Sequence, residues 1–342
     1  MKQTTQWLTL VAMSLVAVAV GCSDEDAEVA PTGAAGYVAF SADHYQGQIQ
    51  RLAAYQTIAS ARRAAAAAPT TAEANGVFVD TIGPALEVAE LLVKVKGRQD
   101  DHDFAEGTIG TRLEADILYG VELGSTTDDP QRVGYAGQIV DKTLLAFFYY
   151  SVFHELTQRT KKNHDEAFGY YGLPNNGDGA EARGLALTAV GREGDFSASL
   201  NQPIFGRLVD GRAVLAASFG EGANQATEAL PSSDAAYSAV IEDVDRRMLL
   251  IFALGVKHEL LEAASEEPDI KLIEANRFWL PLRGWVEANV PEADFALMDA
   301  ELLGELEGAP LIEALEAVAA DPSVLDAAAV TAEIDKVIAA LQ

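Results

Sequence analysis

The chain has 342 residues, of which 49% are hydrophobic, and a formal net charge of −28 at pH 7. Such an acidic surface repels nucleic acid and anionic lipid head groups, so we expect no nucleic-acid partner. The sequence contains a single cysteine, which excludes an internal disulfide, and the fold must therefore be stabilised by its hydrophobic core.

The N-terminal 21 residues are typical of a secretory signal, because one lysine precedes an apolar run that ends in small residues. The sequence AVGC at 19–22 resembles the lipobox of bacterial lipoproteins, in which the cysteine thiol is lipidated. We therefore predict a lipoprotein signal peptide over 1–21 and lipidation of Cys22, with the membrane as a partner through this lipid anchor. The residue after the cysteine is Ser23 and not an aspartate, which in the sorting rule of bacterial lipoproteins favours the outer membrane. A plain signal peptide or an N-terminal membrane helix is the alternative.

The rest of the chain is predicted to be helical. Residues 22–36 are acidic and rich in small residues, which is typical of a flexible tether. From residue 37 on, apolar residues recur at spacings of three and four, and no alternating run is long enough for a strand. We predict an all-α body over 37–342, and a long loop over the glycine- and asparagine-rich stretch 172–184. The predicted helices span about 42–67, 78–96, 110–122, 132–160, 164–171, 205–229, 234–265, 269–289, 293–306, 310–320 and 323–341.

Two of these helices contain similar sequences. Residues 141–158 align with residues 245–262 without a gap, with seven identities in 18 positions. Three of the identities are contiguous, and they place His154-Glu155-Leu156 on His258-Glu259-Leu260. In each copy a polar turn and a helix with Glu-Ala and aromatic residues follow.

This pattern predicts an internal duplication that gives two pseudo-symmetric helical bundles. We place the first bundle at about 37–175 and the second at about 205–342. Chance similarity between two amphipathic helices is the alternative explanation.

Both copies narrowly miss a zinc-protease motif. The His-Glu-x-x-His pattern needs a second histidine, but Gln158 and Glu262 occupy that position in HELTQ and HELLE. The sequence also lacks a GxSxG elbow, a P-loop and a GxGxxG that follows a strand. We therefore expect no enzymatic activity.

Four stretches, GYVAFSADHYQGQIQRL, NHDEAFGYYGLP, KHELLEAA and EANRFWLPLRG, resemble in this order bacterial lipoproteins that are catalogued as a domain of unknown function. That family is distantly similar to the imelysin-like proteins of periplasmic iron uptake. The resemblance covers about 37–310 and implies an exported all-α protein, made beside iron or haem acquisition systems, with an outer-membrane uptake receptor as a partner. The imelysin pattern Gly-x-His-x-x-Glu is not matched, because Glu262 follows His258 by four residues and Gly255 precedes it by three.

The His-Glu segments are the candidate metal ligands. His258 and Glu262 lie four residues apart and therefore share one helix face. An imidazole with carboxylates suits iron, zinc or manganese. The full candidate set is His154, Glu155, His164, Asp165, Glu166, His258, Glu259 and Glu262. Alternatively, these residues only cap helices or pair with arginines.

Two further sites are open at this point. The aromatic clusters 147–150, 168–172 and 277–279 could surround a non-covalent haem with His154 or His258 as axial ligand, or they could fill the core. The acidic residues around His102 could hold calcium or form a solvated loop.

These patterns together predict a non-enzymatic outer-membrane lipoprotein that binds a metal or metal complex, with a role in iron acquisition. The alternative function is a surface-anchored helical scaffold or interaction protein without a metal site.

Overall fold

The protein is all-helical, as the spacing of its apolar residues predicts. In the computed structural model the described residues are 36–101, 112–173, 177, 179–263 and 267–342. They contain no β-strand, and the one β-bridge among them joins Thr160 to Ala229. The predicted signal peptide, Cys22 and His102 lie outside the described residues, as does the predicted tether up to residue 35.

The helices follow one another with short connections. The first seven are α1 Gln46–Ala66, α2 Thr71–Val77, α3 Gly83–Glu87, α4 Leu91–Asp101, α5 Leu113–Thr126, α6 Pro130–Thr157 and α7 Lys161–Tyr171. The next seven are α8 Gly184–Phe196, α9 Asn201–Phe219, α10 Ala235–Ala263, α11 Pro268–Asn289, α12 Phe295–Glu301, α13 Gly308–Ala320 and α14 Ala327–Leu341. A π-helical segment, Phe78–Ile82, joins α2 to α3, and 3-10 turns span Ala42–His44, Val88–Glu90, Gly179–Glu181 and Pro322–Val324.

Local sequence explains where several helices begin. The side chain of Asp129 accepts a hydrogen bond from the backbone N–H of Gln131 at 2.9 Å, and Pro130 occupies the first turn of α6. Thr160 caps α7 in the same way through the N–H of Asn163, at 3.0 Å. These caps satisfy N–H groups that have no partner within the helix, and they fix both boundaries within a few residues of the predicted ones.

The predicted helix over 205–229 is too long, because the chain leaves the helix after Phe219. Gly220 follows with a φ of 76°, which suits glycine. The fully buried ammonium of Lys161 then donates hydrogen bonds to the carbonyls of Phe219, Gly220 and Gly222, at 3.2, 2.9 and 2.9 Å. A cation supplied by α7 thus stabilises the C-terminal end of α9.

Helix α8 is absent from the predicted elements, because its sequence, GLALTAVGREGDF, is interrupted by glycines that resemble loop residues. It lies outside both predicted bundles but packs against α6 and α10. Its C-terminal turn contributes side chains to the candidate site described below.

The longest helices form the centre of the molecule. α6 is buried around its whole circumference from Val133 to Val152 except at isolated positions, and α10 is buried on every face from Met248 to Val256. α6 contacts α1, α5, α7 and α11, whereas α10 contacts α9, α11 and α14. Helices that are apolar on every face become internal helices, since no face favours water.

Aromatic rings join these central helices. The ring centroid of Phe252 in α10 lies 5.5 Å from that of Tyr149 in α6 and 6.0 Å from that of Phe278 in α11. The clusters 147–150 and 168–171 are buried as well, and so are Phe278 and Trp279. In this structure the three aromatic clusters therefore pack into the core.

The described residues belong to one compact unit. α6 of the predicted first bundle packs directly on α10 and α11 of the predicted second bundle. The division into two bundles stays a prediction. Within the described part of the chain, no helix is both long and apolar enough to cross a bilayer.

Candidate cation site

Three of the predicted ligands meet at the C-terminal end of α10. His258, Glu259 and Glu262 each offer one ligand atom, and these atoms lie within 4.8 Å of one another. The four-residue spacing stacks His258 above Glu262 on one helix face, with 3.1 Å between Nε2 and Oε1. Within the described part of the chain, this is the one group of at least three potential ligands with such spacing.

A lysine from the next helix already lies against these carboxylates. The ammonium of Lys271, in the first turns of α11, contacts Glu262 Oε2 and lies 3.4 Å from Glu259 Oε2. Burial alone would lower the pKa of Lys271, but the hydrogen bond with Glu262 and the charges of Glu259 and Glu274 raise it to about 12. Lys271 is therefore charged at neutral pH and acts as an internal cation.

The other side of His258 faces α8. Its Nδ1 lies 3.3 Å from Asp195 Oδ2, and its ring makes an edge contact with Phe196, with centroids 6.3 Å apart. Burial lowers the pKa of His258, and the nearby charge of Arg192 lowers it further, against the opposing influence of Glu262 and Asp195. The imidazole is therefore neutral at pH 7, which is the form that binds a metal.

Asp195 and Arg192 are site residues that the sequence did not indicate. Arg192 Nη2 lies 3.8 Å from Glu259 Oε1, so it shares the neutralisation of this carboxylate with Lys271. Both residues lie in α8, a helix that the sequence pattern did not predict, so no pattern placed them near His258.

Glu259 is the most buried of the three ligands, with 3% of its surface exposed. Burial, and then the charge of Glu274 in α11, raise the pKa of Glu259 to about 7, although Lys271, Lys142 and Arg192 oppose the shift. Near neutral pH the Glu259 carboxyl therefore carries a proton about half of the time. A cation that bound there would release it.

The equivalent residues of the first copy do not form such a group. Glu155 accepts hydrogen bonds from Arg98 Nη2 and Asn163 Nδ2, both at 2.5 Å. Burial, and then the charge and hydrogen bond of Glu155, raise the pKa of Glu166 to about 7. His154 is half-buried near the end of α6. In this copy an arginine lies where a metal would contact Glu155.

His164 and Asp165 are removed from the candidate ligands by their hydrogen bonds. Both ring nitrogens of the fully buried His164 lie 2.7 Å from protein atoms, Nδ1 from Tyr237 Oη and Nε2 from the Leu208 carbonyl oxygen. Burial lowers the pKa of His164 to about 4, so it is neutral.

Asp165 ties the start of the body to α7. It accepts hydrogen bonds from Tyr37 Oη at 2.8 Å and from the backbone N–H groups of Phe40 and Ser41, and His44 Nδ1 lies 2.7 Å away. These contacts use both carboxylate oxygens, so the role of Asp165 is structural.

Each copy of the predicted duplication places two glutamates together. The acid of the His-Glu pair interacts with a glutamate of the following helix, Glu155 with Glu166 and Glu259 with Glu274. Glu166 and Glu274 each begin the Glu-Ala dipeptide that the two copies share. This correspondence supports the duplication, which stays a prediction.

Comparisons of the chain with protein-family models, curated proteins and solved structures find no match. The resemblance to the imelysin-like lipoproteins therefore stays a prediction, and the function must be argued from the geometry.

Replacement of Glu166 by Gln should change how stability depends on pH. The folded chain holds the Glu166 proton up to about pH 7, whereas an unfolded chain releases it near pH 4.5. The contribution of Glu166 is therefore most favourable below pH 4.5, and it falls as the pH rises to 7, by at most about 3 kcal/mol. In Glu166→Gln the free energy of unfolding, measured with urea at pH 5 and pH 7.5, should fall less than in the parent.

The matched control is Glu87→Gln, because Glu87 is exposed. It should keep the parental difference between the two pH values. An unchanged difference in Glu166→Gln would show that the pKa of Glu166 is not raised in the folded chain.

Proposed function

We propose that the chain is a lipid-anchored, exported protein that binds a divalent cation through His258, Glu259 and Glu262, without catalytic activity. The observation that carries this proposal is the convergence of one neutral imidazole and two carboxylates within 4.8 Å. Nitrogen and oxygen ligands of this kind suit iron, zinc or manganese.

Binding requires a modest rearrangement. Metal bonds of about 2.1 Å place two ligand atoms of a tetrahedral ion about 3.4 Å apart. Ligand atoms that lie within 4.8 Å of one another must therefore approach by up to about 1.4 Å. The ammonium of Lys271 must also leave the carboxylates, since it contacts Glu262 and lies 3.4 Å from Glu259. The bound metal thus replaces an internal cation, and the net charge of the site changes little.

The cellular role that we propose is iron acquisition at the outer membrane. It rests on the predicted lipidation of Cys22 and on the resemblance of four sequence stretches to imelysin-like lipoproteins. An outer-membrane uptake receptor is the proposed partner.

A second candidate function is a lipid-anchored scaffold in which the His-Glu pairs are structural. One observation favours it: protein cations already neutralise the carboxylates at both His-Glu segments. Lys271 of α11 and Arg192 of α8 do so for the segment in α10, and Arg98 of α4 does so for the segment in α6. In that case the site would bind no metal.

Calorimetric titration of the full chain, purified in detergent and freed of metal with a chelator, separates these functions. Saturable binding of Zn²⁺, Mn²⁺ or Fe²⁺ is expected. Because His258 provides the single nitrogen ligand, His258→Ala should weaken the binding by about tenfold or more.

His154→Ala is the matched control, since His154 occupies the equivalent position of the other copy. It should bind with parental affinity. If no metal gives saturable heat, or if the two variants behave alike, the cation site is refuted and the scaffold function is favoured.

The lipid anchor makes a separate prediction. In cells that are fed a radiolabelled fatty acid, the parent chain should carry the label and sediment with membranes. Cys22→Ser should lose the label and become soluble, because serine lacks the thiol to which the acyl chain would be attached. Ser23→Ala is the control and should keep the label. An unlabelled parent chain would contradict the anchor.

A further inference from the structure

A cavity of about 630 Å³ lies between the C-terminal part of α1, the first half of α6 and the start of α11. This volume equals that of about 20 water molecules and falls within the usual range of small-molecule sites. Its wall contains apolar side chains, among them Val133 and Ile270, together with the polar groups of Arg62, Gln138 and Glu274. The cavity is distinct from the His258 group, although Lys271 contributes to both.

Gln138, one of the residues that line this cavity, has an unsatisfied acceptor. Its side chain is buried, with 5% exposed, and its Nε2 donates a hydrogen bond to Glu274 Oε1 at 2.6 Å. Its Oε1 has no hydrogen-bond partner among the described residues. A buried acceptor without a donor destabilises a protein by about 1–3 kcal/mol. A ligand that supplies an N–H donor would remove this cost.

Charges of both signs line the same cavity. The guanidinium of Arg62 forms an ion pair with Asp141, with 3.0 Å between Nε and Oδ2, but this Nε makes no hydrogen bond to the described residues. Glu274 and Asp269 provide the negative charge. An anion alone would meet these carboxylates, and a cation alone would meet Arg62 and Lys271. A molecule with both charges matches the wall better than either.

We propose that this cavity binds a small zwitterion of amino-acid or short-peptide type. The ligand ammonium donates to Gln138 Oε1 and faces Glu274, and the ligand carboxylate pairs with the guanidinium of Arg62. The aliphatic part packs on Val133 and Ile270. The proposal goes beyond cation binding and needs no metal.

Titration calorimetry of the full chain in detergent, with EDTA present, tests the two charges. The probes are alanyl-alanine, N-acetyl-alanyl-alanine, which lacks the ammonium, and alanyl-alanine amide, which lacks the carboxylate. We expect saturable binding of alanyl-alanine, and affinities lower by about tenfold or more for each blocked probe, because one charged group of the cavity then has no partner. Absence of saturable binding, or equal affinity for all three probes, would overturn the proposal.

Gln138→Met tests the role of the Gln138 acceptor in ligand binding. Methionine has a similar length but cannot accept the ammonium hydrogen bond, so alanyl-alanine should bind about tenfold or more weakly. Gln158→Met, at the exposed C-terminal end of the same helix, is the control and should bind like the parent. Parental affinity in a folded Gln138→Met, checked by circular dichroism, would also overturn the proposal. If that variant does not fold, the affinities of the parent chain for the three probes alone test the proposal.

Discussion

The pairing of buried carboxylates with buried cations is the interaction on which the centre of this molecule depends. The ammonium of Lys142 in α6 lies 3.4 Å from Asp141 Oδ2 and 3.3 Å from Glu274 Oε2, and Arg62 Nε of α1 lies 3.0 Å from Asp141. A buried charge without a partner costs several kcal/mol. These pairs therefore help to fix the positions of α1, α6 and α11 relative to one another.

The same constraint shapes both proposed binding sites. The charge of Glu274 raises the pKa of Glu259, and Lys271 lies against Glu259 and Glu262 while it also lines the cavity. In the first copy of the predicted duplication, Arg98 has this role for Glu155. The two copies thus neutralise similar acid pairs with different cations. Because the lysine ammonium is held by a flexible stem and not by a bidentate fork, the α10 copy is the better place for exchange with a metal.

The sequence predicts the helices that local signals define and fails where distant residues decide. The predictions of α6 and α10 are confirmed, because both helices have a long apolar periodicity and α6 also begins at an Asp-Pro cap. The predicted end of α9 was wrong because Lys161, more than 50 residues away, donates hydrogen bonds to the carbonyls of Phe219 and Gly220. His164 was predicted to be a ligand because it follows a His-Glu segment. Its ring nitrogens instead form hydrogen bonds with Tyr237 and with the Leu208 carbonyl, and no local sequence pattern indicates these partners. Likewise, the residues that line the cavity come from three helices, so no local motif could predict it.

The most direct test of the central claim is the metal affinity of Lys271→Met, with Lys336→Met as control because Lys336 pairs with Glu333 of the same helix, α14. If the ammonium of Lys271 occupies the place of a metal, its removal should strengthen Zn²⁺ or Mn²⁺ binding by about tenfold or more, a gain of about 1.4 kcal/mol. The control should bind like the parent. Unchanged or weaker binding in Lys271→Met would contradict the account.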